Sequence, residues 1–226
     1  NNAYHNKAAK LYEVAKVYLP QAGEKLPQEP KMLMLGTYGS GETFFTLKGE
    51  LEGIFRALRM KKTEYTAEKC NPSYHPGRCA RITVDGEEIG VMGQVHPLVA
   101  RNYGIDAEVY CAELNFTKML SLMLPDPTYV PLPKYPAVSR DLAIVCDEAV
   151  TVAQAEKVIA EAAGKLLRDV KLFDIYRGVG VPSGKKSMAF SLELRADDRT
   201  LTDADSEGVT AKVLSALEEK LGATLR

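Results

Sequence analysis

Residues 134–201 constrain the fold more than any other part of the 226-residue chain, because they read as three separated pieces of one small sheet. The pieces are Lys134–Val145, Val170–Gly178 and Lys185–Arg195, the last followed by Arg199-Thr200-Leu201-Thr202-Asp203. On the third piece Met188, Phe190, Leu192 and Leu194 alternate with smaller or polar residues, the period of a half-buried strand. A helical run separates the first two pieces. Thr151 with Gln154 forms a capping-box start, and Ala155, Val158, Ile159, Ala162 and Leu166 continue an apolar face. After the third piece, Thr202 with Asp205 opens a second helix carrying Val209, Val213, Leu214, Leu217 and Leu221, and Gly222 suits its C-cap. With a short last strand at Ala223–Arg226, the order is βαββαβ, the ferredoxin-like pattern.

Upstream the pattern changes. Lys10–Leu19 alternates as a strand, Lys31–Tyr38 reads as a buried strand, and Gly36–Gly41 as a glycine turn. That turn lacks the Gly-Lys-Ser/Thr ending of a phosphate loop. Phe44, Leu47, Leu51, Ile54, Phe55 and Leu58 mark an amphipathic helix over Phe44–Arg59. Strands are expected at Lys62–Ala67, Cys79–Val84, Glu87–Val95 and Glu108–Asn115, with Asp85-Gly86 as a hairpin turn and short helices at Pro97–Tyr103 and Phe116–Met123. Many hairpin strands with few helices predict an antiparallel α+β domain over residues 1–125. The proline-rich stretch Asp126–Pro133 reads as a stiff linker to a second domain over 126–226.

Charge offers no support for a polyanion partner. The net charge is −1, and from Thr128 onward 14 Lys and Arg face 15 Asp and Glu, again −1. A nucleic-acid contact therefore has to come from a local patch. Lys171, Arg177, Lys185, Lys186, Arg195 and Arg199 gather around the second and third pieces and form the best one. Arg140 reads either as half of an ion pair with Asp141 or as a phosphate contact. Phe173 and Tyr176 are expected on opposite faces of one strand, one under the helices and the other on the open sheet. For Tyr176, plain packing and base stacking both stay open.

Other chemistry finds little to build on. Cys70, His75, Cys79 and His96 have the residue types of a zinc site, but the spacing C-x4-H-x3-C-x16-H lacks a C-x2-C knuckle, so no metal site is expected. His75-Pro76-Gly77-Arg78 reads as a fixed turn whose Arg78 caps carbonyls or pairs with an acid. Three histidines, two of them beside prolines, leave no visible hydrolytic triad, and no catalytic residue is assigned. Four scattered cysteines suggest reduced thiols, and no apolar run approaches the ~18 residues that cross a bilayer. A cytoplasmic location is expected. The sequence opens without methionine, and Asn1–Ala9 reads as the tail of a helix, so a piece of a longer protein is expected.

Linked motifs add a resemblance. Pro136-Ala137-Val138-Ser139-Arg140-Asp141-Leu142-Ala143, then Leu172-Phe173-Asp174-Ile175-Tyr176-Arg177-Gly178, Lys186-Ser187, Thr200-Leu201-Thr202-Asp203 and the final Leu225-Arg226 resemble the anticodon-binding domain that closes the bacterial phenylalanyl-tRNA synthetase β subunit. Leu11–Tyr18, Leu47–Glu52, His75–Ala80, Gly93–Pro97 and Ala112–Asn115 are similar to the segments preceding it. The resemblance implies a first domain shaped like a class II synthetase catalytic domain without its active site, begun after the first class II motif. It implies tRNA(Phe) and the α subunit as partners in an α2β2 assembly, with neither membrane nor DNA. ATP and magnesium would serve the α subunit, and this stretch would hold no cofactor. It also favours structural roles for His75, Pro76, Gly77, Arg78, Asp141, Phe173 and Asp174. Two rival readings are an amino-acid-binding regulatory module and a pure scaffold.

Overall fold

A computed structural model describes residues 5–226, which form two compact units divided between Thr128 and Tyr129. The fold is α+β with antiparallel sheets throughout.

The first unit is built on six strands: β1 (Ala9–Lys16), β2 (Lys31–Tyr38), β3 (Thr63–Ala67), β4 (Tyr74–Val84), β5 (Glu87–Val95) and β6 (Val109–Asn115), in the spatial order β1-β2-β6-β5-β4-β3. Helix α1 (Phe44–Ala57) starts at a Thr43–Thr46 capping box and buries Leu47, Leu51 and Phe55. That stripe meets Leu33, Leu35, Ile82, Met92 and Leu114 on one face of the sheet. Short helices α2 (Pro97–Asn102) and α3 (Phe116–Ser121) are capped by His96 and Asn115 side chains. The helix tail expected over Asn1–Ala9 lies partly outside the described residues, and Ala9 itself opens β1.

One expectation here is corrected. His75–Arg78 is not a turn joining two strands but an interruption inside β4. Pairing with β5 runs from Tyr74↔Val95 straight to Cys79↔Gly93, so His75–Arg78 is excess chain. Gly93 makes room for it, since a Cβ there would lie 2.6 Å from the Arg78 carbonyl oxygen. The excess chain leaves Arg78 donating to Gln94 Oε1 at 2.7 Å and pairing with Glu108 at 3.2 Å.

The second unit contains β7 (Val138–Asp147), α4 (Val152–Ala163), β8 (Leu167–Tyr176), β9 (Lys185–Leu194), α5 (Asp203–Leu221) and β10 (Thr224–Leu225), with sheet order β10-β7-β9-β8. This is the ferredoxin-like topology: the two helices are the crossovers of two interleaved βαβ halves. Both helices contribute to one core with Leu142, Ile144, Cys146, Met188, Phe190, Leu192 and Leu194. Both capping boxes form. Arg199 hydrogen bonds, then Thr202, hold the Asp205 carboxyl far below the usual carboxylate range. Gly222 ends α5 at φ 60, ψ 25, a left-handed position that costs glycine little.

Candidate nucleic-acid interface

With both helices packed on one face, the opposite face of the second sheet is left bare. Strand alternation decides which residues reach it. On β9, Lys186, Met188, Phe190, Leu192 and Leu194 are buried against the helices, so Lys185, Ser187, Ala189, Ser191 and Glu193 belong to the bare face. The register carries this assignment to β7, where Ser139, Asp141, Ala143, Val145 and Asp147 share the face. Most of these side chains are small, so the centre of the face is a shallow floor.

The outer strand β8 does not keep simple alternation. Its ladder pairs Leu172 with Phe190 and then Asp174 with Ala189, so Phe173 is an extra residue in a β-bulge. A one-residue slip moves every later side chain to the other face. Leu172 stays on the helix side, while Asp174, beside Ala189, and Tyr176, beside Ser187, are switched onto the bare face. Without the bulge both would point toward the helices. The bulge also corrects the expectation that Phe173 or Tyr176 packs beneath the helices. Phe173 is 57% exposed and Tyr176 37%, and neither belongs to the core.

The predicted basic patch separates into distinct groups. Arg140 lies on the helix side of β7. Its guanidinium reaches Asp203 at 2.6 Å and Ser206 Oγ at 2.8 Å across the start of α5. It does not pair with Asp141, because neighbours along a strand point to opposite faces. Lys186 is also on the helix side. Only 7% exposed, it donates from Nζ to the Glu148 carbonyl oxygen at 2.9 Å, so burial removes it from the candidates for an RNA contact. Arg177 forms a two-pronged pair with Glu148, at 2.6 Å for its closest contact, and these bonds hold the Glu148 carboxyl below its ordinary range. Arg199 grips Asp205 at 2.5 and 3.0 Å and so serves the cap of α5. Arg195, just past β9, is half-buried with its Nε enclosed and without a hydrogen-bond partner among the described residues.

Lys171 and Lys185 remain. Both lie on the bare face, Lys171 opposite Ser191 and Lys185 opposite Asp147, and neither is tied into an ion pair among the described residues. A third cation there was missed by sequence reasoning. Arg226 follows β10, its backbone N–H donates to the Ala143 carbonyl at 3.0 Å, and its guanidinium lies 4.9 Å from the centre of the Tyr176 ring. The final Leu225-Arg226 was itself a motif residue pair, so the signal was present but pointed to no role. The face thus holds one aromatic ring with Arg226 against it, the cations Lys171 and Lys185, a floor of small side chains, and the carboxylates of Asp141, Asp147, Asp174 and Glu193.

A test separates the two adjacent lysines. Lys186→Ala is expected to lower the stability of the second unit by about 2 kcal/mol, the scale of a hydrogen bond to a charged donor, and to leave the salt dependence of RNA binding unchanged. Lys185→Ala is expected to do the reverse, reducing the salt slope while melting normally. Thermal melts and salt titrations of both variants decide it.

Among the described residues no group of three or more His, Cys, Asp or Glu is placed to hold a metal ion. His75 and His96 use Nδ1 to accept backbone N–H groups, from Gly77 at 3.0 Å and Leu98 at 3.2 Å, Cys79 is buried, and Cys70 is exposed.

A bare antiparallel sheet presenting an aromatic ring and local cations is the architecture of a single-strand RNA-binding module. Consistent with this, residues 133–226 match the family model described as the ferredoxin-fold anticodon binding domain. Residues 1–116, just over half of the chain, match the model described as the phenylalanyl tRNA synthetase beta chain CLM domain, and the chain belongs to that family. It is 43% identical to the phenylalanine–tRNA ligase beta subunit of Clostridium tetani, over all of this chain and 29% of that protein. It is 40% identical to that of Symbiobacterium thermophilum, over 96% of this chain and 25% of the relative. With the Bacillus thuringiensis counterpart it shares 37% identity over all of this chain and 29% of the relative. The chain therefore spans under a third of the length of these curated relatives.

Proposed function

We propose that the second unit binds the anticodon loop of tRNA(Phe) on its bare sheet face, with Tyr176 stacking on an unpaired base and Lys171, Lys185 and Arg226 meeting the backbone. The observation that supports this most directly is the bulge at Phe173, which sets Tyr176 on the face that no helix covers. Anticodon bases are unstacked and splayed, the form in which RNA sequence is accessible to a sheet. A base on a tyrosine ring contributes roughly 1–3 kcal/mol. Binding so far from the reacting atoms still raises the rate by fixing the acceptor end relative to the active site.

In this reading the first unit is a non-catalytic, class II-like body that supports assembly with the α subunit in an α2β2 enzyme. Activation of phenylalanine with ATP and magnesium takes place on that partner. Three arginines of the first unit are committed to acids: Arg59 to Asp126, Arg78 to Glu108, and Arg81 to Glu68 and Glu88. A phosphate-binding role would require breaking those pairs. Their disposition supports chemistry located elsewhere.

The test is equilibrium binding of the anticodon stem-loop of tRNA(Phe) to the 226-residue chain across a salt series. Tyr176→Ala is expected to weaken binding about tenfold. Lys171→Ala should reduce the slope of log K against log salt by about one contact. Unchanged affinity in Tyr176→Ala would overturn the assignment of this face.

A further inference from the structure

We infer that Arg226 is the second wall of a base slot whose first wall is Tyr176, so that one nucleobase is held between a phenol ring and a guanidinium. This rests on the RNA-binding reading above and adds to it a residue that the anticodon-loop assignment does not require. The two side chains start from opposite margins of the sheet, Tyr176 from the end of β8 and Arg226 from beyond β10. They meet over the middle. The guanidinium carbon lies 4.9 Å from the ring centre.

Each wall is anchored, Arg226 at its backbone and Tyr176 at its hydroxyl. The Arg226 N–H donates to Ala143 O at 3.0 Å, and the Tyr176 hydroxyl donates to the Val179 carbonyl at 3.4 Å. Gly178 lets the β8–β9 turn close on the ring, because a Cβ there would lie 2.7 Å from the Tyr176 hydroxyl oxygen. Beneath the pair, Ser187 is 2% and Val145 9% exposed although no helix covers that face. The two long side chains therefore lie across the floor and shield it. Ala143 and Ala189 beside them offer no bulk to obstruct a flat ligand.

The spacing defines what can enter. Stacked bases lie roughly 3.4 Å apart, so a base between two planar walls needs roughly 6.8 Å. From 4.9 Å, the guanidinium has to lift by about 2 Å, a movement within the rotamers of a long flexible side chain. Arginine suits the second wall better than lysine. Its guanidinium is planar and weakly hydrated, so it stacks on a ring, whereas an ammonium keeps its water. In the free protein the cation–π contact keeps both side chains over the floor, and an entering base replaces that contact with one on each of its own faces.

The experiment is a double-mutant cycle on the 226-residue chain, binding the anticodon stem-loop of tRNA(Phe) at one fixed salt concentration, with circular dichroism melts confirming that each variant folds. Arg226→Ala is expected to weaken binding about tenfold, and Arg226→Lys, which keeps the charge, to weaken it nearly as much. In a Tyr176→Ala background, Arg226→Ala should add less than about twofold, because the slot is already gone. Wild-type affinity in Arg226→Lys would overturn the inference, since a point charge on a phosphate would then suffice. A full tenfold loss in the Tyr176→Ala background would overturn it as well. If Tyr176→Ala loses affinity and Arg226→Ala does not, the slot is wrong and the anticodon-loop reading stands. If Tyr176→Ala binds like the wild type, both fall.

Discussion

Deleting Phe173 and Asp174 together is expected to destabilise the second unit by about 1–3 kcal/mol and to abolish anticodon stem-loop binding. One of the two is the extra residue of the bulge and the other holds a place in the ladder, so the rest of β8 shifts by one position against β9. Ile175 then falls opposite Ala189 on the bare face, and Tyr176 opposite Met188 on the helix side. A ring forced into a filled core has the cost of overpacking, and the stacking ring is lost from the binding face in the same step. Deleting Phe173 alone is the control. It removes only the extra residue, so Asp174 stays opposite Ala189, Tyr176 stays opposite Ser187, and binding should be kept. Thermal melts and binding titrations of the two variants side by side test this. A double-deletion variant that binds like the parent would show that the register of β8 does not set the face of Tyr176.

Phe190→Ala is expected to cost the second unit about 3–5 kcal/mol. Phe190 is fully buried at the centre of β9, directly between Leu142 on β7 and Leu172 on β8, and it belongs to the core that both helices cover. Truncation leaves a cavity that these strands cannot close without breaking their ladders, so most of the penalty persists. Set against the 5–15 kcal/mol that holds a typical domain together, this brings the unit close to unfolding. Urea titration read at the amides of β7 and β9 measures it. A change below about 1 kcal/mol would mean that the centre of this sheet is not closed by Phe190.

Local pattern made much of the second unit readable. Met188, Phe190, Leu192 and Leu194 identify the inner side of β9 by alternation alone, and the same phase places Lys186 inside and Lys185 outside. That distinction was available in the sequence but was outweighed by treating every lysine as a surface group. Thr151 with Gln154 and Thr202 with Asp205 form the caps their spacing implies, since a capping box closes within four residues. What stayed hidden depends on distant chain. Arg140 takes a partner 63 residues away, which no neighbouring residue announces. The bulge at Phe173 leaves no mark in composition, because an extra residue in one strand is defined only by the count in the other. Arg226 was legible as part of a motif, but its reach across the sheet to Tyr176 exists only once the strand order is known.

The self-contained ion pairs of the second unit have a consequence for how it meets its partner. Arg140, Arg177 and Arg199 each face a carboxylate of the same unit, so to an approaching polyanion they look almost neutral. Beyond a Debye length of about 8 Å at physiological ionic strength, little attraction survives to draw a nucleic acid in. Encounter then proceeds at an unassisted diffusional pace, and recognition begins only on touch. Under the anticodon-loop proposal, such a surface selects its RNA by contact and not by long-range attraction.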